Sequence, residues 1–427
     1  MHVHPSACAS AHSTITHCVY NLIRICVSRL KIRHLHPWYM VMYSCKLNFI
    51  FFFSVGVGSF SLGAAHSLVV KQDGSVWAAG GNNFGELGTG LRSDPVTDFV
   101  EILSAGTNAV IATGGAHSML LKQSGSVWVT GRNQHGQLGD GTNTDRENFV
   151  KVFSEGGKAV AAGSKHSLVV KADGSMWATG CNMHGQLGDG SEEDSTKFVL
   201  VSENGIKDVA AGGDHSMALG QDGSVWTCGL NLSGQLGIAL ETSRKSTFVK
   251  IIPTGGEAIA AGGDHSVVLK QDGTVWTVGA NEFGQLGDGS RTSTHVIRLI
   301  SEEATAIAAG LHHTMMLKRD GSVWVTGGNE YGQLGDRTRA AKSSFVRVMS
   351  GVQKITAGGW HSMALRDDGS FWATGANDDG QLGDGSMIDK TAFVRVARIS
   401  GGGEWYGICS NGVPRLTTFC SPCLIIR

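Results

Sequence analysis

Seven histidines head seven near-identical stretches, and histidine is the side chain whose proton chemistry lies closest to neutral pH. They are His66, His117, His166, His215, His265, His313 and His361, spaced 51, 49, 49, 50, 48 and 48 residues apart. A glycine precedes each by three residues (Gly63, Gly114, Gly163, Gly212, Gly262, Gly310, Gly358). An asparagine follows each by sixteen (Asn82, Asn133, Asn182, Asn231, Asn281, Asn329, Asn377). Catalysis or metal binding needs several such groups in one place. One histidine per unit, seven units over, puts the copies too far apart for one site. The pattern instead predicts a buried imidazole whose ring is hydrogen-bonded.

Other chemistry-bearing patterns resolve the same way. Gly284-x-x-Gly287 and its equivalents have the glycine density of a phosphate loop. They lack the following Gly-Lys-Ser/Thr and the strand-to-helix setting, so a tight connection needing positive φ explains them. Cys420-x-x-Cys423 has no second pair at zinc spacing, and no cysteine recurs at a fixed repeat position. His2, His4, His12, His17, His34 and His36 show no ligand spacing. Asn231-Leu232-Ser233 is a formal glycosylation sequon on a framework asparagine, which argues against modification. No nucleophile, carboxylate pair or ligand cluster stands outside the repeated framework. The chain is expected to be no enzyme and to need no metal or cofactor.

A period near 50 residues means a repeat architecture. Within the fifth unit, Phe248–Ile252, Glu257–Ala261, His265–Lys270 and Thr274–Val278 read as four short strands, with Asp272-Gly273 as a hairpin turn. No segment is long or periodic enough for a helix. Four strands per unit, seven times, predicts an all-β, seven-bladed propeller with four-stranded antiparallel blades. Trp77, Trp128, Trp177, Trp226, Trp276, Trp324 and Trp372 lie eleven residues after the histidines, in mid-strand. They are expected to pack blade on blade in the core. The Phe393–Val396 strand follows the last unit, and no clear copy precedes the first. It is therefore expected to pair into the first blade and close the ring, with Phe49-Ile50 as the rival for that place.

Strand polarity puts the Gly279–Gly284 loop on the same face as the Gly263-Asp264 turn, with the Asp-Gly hairpins opposite. On that loop face the residue before each marker histidine varies: Ala65, Ala116, Lys165, Asp214, Asp264, His312, Trp360. So does the pair before the loop glycine: Asn83-Phe84, Gln134-His135, Met183-His184, Leu232-Ser233, Glu282-Phe283, Glu330-Tyr331, Asp378-Asp379. Aromatic and charged residues at exposed, varying positions suit an interface. Phe84, His135, His184, Phe283, Tyr331, Asp379, Lys165, Asp214, Asp264, His312 and Trp360 are accordingly the candidate partner-binding residues.

Three regions follow: 1–60 as an N-terminal extension, disordered or targeting; 61–397 as the propeller; and 398–427 as a C-terminal tail. Residues 1–60 hold five basic and no acidic residues. The rest holds the other 30 basic residues and all 36 acidic ones. That balance disfavours nucleic acid as a partner. Phe49–Val57 is too short for a membrane-spanning helix. A cytoplasmic monomer is expected.

The motifs Ala260-Ala261-Gly262-x-x-His265-Ser266, Asp272-Gly273-x-Val275-Trp276-x-x-Gly279 and Asn281-x-x-Gly284-Gln285-Leu286-Gly287 resemble the repeats of the regulator of chromosome condensation family. That family includes α-tubulin suppressor-like proteins and giant ubiquitin ligases. The resemblance implies a seven-bladed propeller with a shared closing blade. Its founding member is an exchange factor for the small GTPase Ran and carries a protruding insertion in one blade. Unit lengths of 48–51 leave no room for such an insertion here. The even repeats look more like the α-tubulin suppressor type or the type of a secreted bacterial relative that inhibits β-lactamases by plugging them with its loop face. The function expected is a protein-interaction scaffold whose partner docks on one loop face. The alternative is guanine-nucleotide exchange on a Ran-like GTPase. The resemblance thus implies a small GTPase or a tubulin-related protein as partner.

Overall fold

Why each unit folds as it does is clearest in the fifth. The segment His265–Lys270 is buried along nearly its whole length, because both of its faces are covered. It therefore reads as a continuous apolar run rather than an alternating one. It turns at Asp272-Gly273, where Gly273 has φ 84°, and pairs back onto Val275–Gly279 with Val268 opposite Trp276. An innermost strand (Gly256–Ala261) and an outer strand (Thr294–Ser301) complete the sheet. The computed structural model of the chain describes residues 57–396 other than 107–108 and 240. They form 28 strands in seven four-stranded antiparallel sheets, each built from four consecutive strands. Among the described residues there is no helix. This is the seven-bladed β-propeller expected. Innermost strands from all seven blades line an axial cavity of about 390 Å³ walled by Ala, Gly and Ile. The expectations for residues 1–56 and 397–427 lie outside the described residues.

Apolar burial is shared between neighbouring blades. Met217, Leu219, Val225 and Ile252 of the fourth blade meet Val268 of the fifth in one cluster. The other junctions repeat this arrangement with Leu, Val, Met and Ala. Trp276 wedges against that fourth-blade cluster, as Trp77, Trp128, Trp177, Trp226 and Trp324 do at their own junctions. The indoles are nevertheless only partly buried. They sit on the third strand, farther from the axis, where adjacent blades splay. Trp276 Nε1–H donates to Thr274 Oγ1 at 2.9 Å, and that hydroxyl donates to Asp272 of the turn. Lys270 Nζ lies 4.0 Å from the ring centroid. The expectation of core tryptophans is corrected to half-buried wedges under a cation. The hairpin turn, the hydroxyl and the indole form one unit.

The marker histidines are fully buried and link the blades. His66 Nε2 lies 2.9 Å from Ser118 Oγ of the next blade. The same contact runs from His117 to Ser167, His166 to Ser216, His215 to Ser266, His265 to Thr314 and His313 to Ser362. It closes with His361 to Ser67 at 2.9 Å. Each hydroxyl also donates to the carbonyl of the loop Gln or Glu, as Ser118 does to Glu86 at 2.7 Å and Ser67 to Gln381 at 2.6 Å. A hydroxyl has one proton, and it is used on the carbonyl. Each imidazole must therefore carry its proton on Nε2 and donate. The ring lies against the glycine three residues earlier, where any Cβ would overlap it. That is the reason for the fixed Gly–His spacing.

Ring closure departs from the sequence expectation. Phe393–Val396 does not enter the first blade. Lys390–Arg395 is the outer strand of the seventh, with Val394 opposite Ala373. The first blade takes its innermost strand from Val57–Leu62, four residues ahead of the expected start of the propeller. Each outer strand follows its tryptophan strand in sequence and pairs with it locally, and among the described residues no strand is exchanged. The seam is made by side chains and loops. Gly359 N–H donates to Gly63 O at 2.9 Å, and Gly385 N–H donates to Thr97 O at 3.0 Å. Phe371 contacts Phe60 and Phe99 with ring centroids 5.1 and 6.3 Å away. The other six blades have Val or Met at the Phe371 position. The extra aromatic area stands at the one junction without chain continuity.

Two outcomes follow. Phe371→Val should cost about 1–3 kcal/mol in urea denaturation, through lost packing at the seam. Burial holds the pKa of the marker imidazoles down to about 3 or 4, below the usual imidazole value of about 6.5. A folded-state value depressed below the unfolded one means the unfolded chain binds more protons as pH falls below 6.5. Stability is then full above that pH and lost beneath it, by about 1.4 kcal/mol per imidazole per pH unit. Seven together lose about 10 kcal/mol per unit, so cooperative unfolding is expected on acidification to about pH 5. A urea midpoint unchanged between pH 7 and 5 would refute this.

Candidate functional site

The loop face is built on the asparagines. Asn281 is fully buried. Its Oδ1 accepts the Leu286 N–H at 3.0 Å. Its Nδ2 reaches Asp288 Oδ1 at 3.1 Å and the Ser290 hydroxyl at 3.0 Å. Gln285 Oε1 accepts the Phe283 N–H at 3.0 Å. Leu286 is buried beneath, and the Gly287 that follows rests on Phe345 of the next blade's outer strand. The loop therefore reaches over its neighbour and is held at both ends. Where the next outer strand has His295-Val296-Ile297 instead of Phe-Val, Gly237 meets no phenyl ring, and Ile238 stands where five of the other six loops have aspartate and the first has Thr89. The loop and the neighbouring phenylalanine depart together.

This frame leaves two side chains per loop pointing out, and pairs them across junctions. Phe283 of the fifth blade lies 4.7 Å from His312 of the sixth, centroid to centroid. Tyr331 of the sixth lies 6.0 Å from Trp360 of the seventh. Thus the residue before one loop glycine meets the residue before the next marker histidine. Gln186 Nε2 donates to Asp214 at 3.2 Å, and Gln235 Nε2 donates to Asp264 at 3.1 Å. Phe84 is instead covered by Arg132, whose guanidinium lies 4.7 Å from its centroid. His135 Nδ1 faces Asp194 at 3.1 Å. Lys165 is exposed, and His184 and Asp379 are partly so. The candidate residues lie on one face, but as pairs around a ring rather than as one pocket.

The face is uneven in charge. Blades four to seven present Asp214, Asp264, Glu282, Glu330, Asp378 and Asp379. Burial pushes the Asp264 carboxyl up, with Asp214 and Glu282 adding to the effect. Burial also raises Asp379, beside Asp378, and lowers His312. Sequence reasoning missed two contributors. Arg132 and Cys181 sit just before the framework asparagine, a position that varies as freely as the two chosen. Met183 and Leu232 of the varying pairs, 56 and 70 % exposed, stand just after it. Their variation between units was the available signal.

A closed propeller whose repeated residues serve the junctions, and whose loops vary on one side, defines a class of repeat ring. Residues 160–406 match the RCC1-like domain, and residues 59–86, 110–137 and 124–170 match the Regulator of chromosome condensation (RCC1) repeat. The chain belongs to the regulator of chromosome condensation repeat family. Over 83 residues it is 39 % identical to Protein RCC2 homolog of Xenopus laevis, a stretch covering 19 % of this chain and 16 % of that protein. The match thus spans about a sixth of that relative. Human WBSCR16 superposes with a TM-score of 0.68 at 22 % identity, over 75 % of this chain and 93 % of that one. Prp20p of Saccharomyces cerevisiae gives 0.66 at 21 %, over 75 % and 85 %. At these identities the two structures share the fold.

Frame and face should respond differently to truncation. Asn281→Ala, which strands a buried loop, is expected to cost about 2–3 kcal/mol in urea denaturation. Phe283→Ala, on a side chain 38 % exposed, should cost under about 1 kcal/mol.

Proposed function

We propose that this propeller is a non-enzymatic scaffold that binds a protein through its loop face, with Phe283, His312, Tyr331 and Trp360 as the anchor. The observation behind it is the pairing of these aromatics across successive blade junctions, on the side where the framework stops repeating. Aromatic side chains give large contact area at small entropic cost and dominate interface energies. Asp264, Glu282, Glu330, Asp378 and Asp379 surround them, so the partner presents a basic surface. The alternative is nucleotide exchange on a small GTPase. It draws on the reported binding properties of Prp20p to Gsp1p and histones.

The test compares wild type with a Phe283→Ala, Tyr331→Ala, Trp360→Ala triple variant in affinity capture. A partner retained by wild type should be lost by the variant, and its binding should weaken as salt rises. Equal capture by both would refute the assignment of the face. Acceleration of labelled-GDP release from a Ran-type GTPase by orders of magnitude would instead establish the exchange reading.

A further inference from the structure

Among the described residues, one place brings three different metal-ligating side chains together. His135 of the second blade, and Cys181 and Asp194 of the third, have ligand atoms within 4.8 Å of one another. No recurring framework role requires this set. Other blades fill the Cys181 position with Gly81, Arg132, Leu230, Ala280, Gly328 and Ala376. The carboxylate position shows what the site has in place of a neighbour's cation. In the second blade Asp145 receives Arg92 at 3.1 Å, and in the seventh Asp389 receives Arg339 at 3.1 Å, each from the preceding loop. Asp194 occupies the same place, since its Oδ1 accepts the Asn182 N–H as Asp145 and Asp389 do for their own asparagines. The preceding loop offers it no guanidinium. It offers an imidazole at 3.1 Å, with a thiol beside it.

We infer that His135, Cys181 and Asp194 form a zinc site that clips the second blade's loop to the third blade. The donor set is one imidazole nitrogen, one thiolate and one carboxylate oxygen, which suits Zn²⁺. Thiolate and carboxylate together balance the two charges of the ion. Of the other charges that bear on Cys181, Lys165 and Asp214 act in opposite directions. The ligands come pre-positioned. Asp194 is oriented by the Asn182 N–H, and the His135 backbone N–H is held by Gln137 Oε1 at 2.9 Å. Cys181 is 1 % exposed, so its sulfur is kept from bulk solvent. Binding releases the thiol proton to solvent and replaces the His135–Asp194 contact with two bonds to the metal. Three protein ligands leave a fourth position, on the loop face, for water or a partner's side chain.

The test uses the full reduced chain and Co²⁺ as a spectroscopic substitute for zinc. One equivalent should bind with a thiolate-to-cobalt charge-transfer band, which Zn²⁺ abolishes by displacement. Cys181→Ala, the residue of the fifth and seventh blades, should remove the band. Asp194→Ser, as at Ser293, and His135→Phe, as at Phe283, should each weaken binding by at least about tenfold. Zinc should raise the melting temperature of wild type and leave that of Cys181→Ala unmoved. A band that survives Cys181→Ala would place the metal on other cysteines and overturn the site, as would the absence of any band. If Cys181→Ala fails to fold, His135→Phe decides: an unchanged cobalt affinity overturns the proposal.

Discussion

The bond from each buried imidazole to a hydroxyl in the next blade organises the disc. It is a three-part relay: Nε2–H to hydroxyl, hydroxyl to loop carbonyl, and the loop itself seated over the neighbouring blade. Both donors are spent within the relay, so the tautomer of every ring is set by its neighbours. The cost is a neutral imidazole in a fully buried site, bounded on one side by a glycine that can carry no Cβ. Seven such groups couple the fold to pH more tightly than any ion pair on its surface, where exposed pairs contribute little.

Because the relay runs around the ring, the last junction is chemically equivalent to the rest. His361 to Ser67 spans the two ends of the array and has the same length and partners as His66 to Ser118. What differs is the chain. Among the described residues no strand is exchanged between the seventh blade and the first. The aromatic group around Phe371 adds packing where covalent continuity is missing. This closure leaves every blade local in sequence, and short-range strand pairing carries little loop-closure entropy.

The division between frame and face explains how such a ring takes on a binding role. Asparagine, glutamine, leucine and glycine hold each loop through buried contacts that do not use the exposed side chains. Those positions are free to vary without loss of the fold. In this chain they supply an aromatic and acidic sector over the later blades, and an imidazole, a thiol and a carboxylate where the second blade meets the third. The two sectors depend on different chemistry and are separable by substitution.

Repeat period, strand count, blade number and the loop face were all legible in the residues, because the Gly–His, Trp and Asn spacings recur and each has a local physical cause. The role of the histidines as buried, bonded rings was legible for the same reason. The first strand was not. Ser59-Phe60-Ser61-Leu62 lacks the alanine-rich pattern of the other innermost strands, so Phe393–Val396 looked like the closing piece. The depth of the tryptophans was likewise hidden, since it depends on how far blades splay with radius. Only the tertiary structure set Phe283 against His312, Tyr331 against Trp360, and His135 against Cys181 and Asp194. Each of those contacts joins residues from different blades, and the ring's curvature, which no single repeat encodes, decides which of them meet.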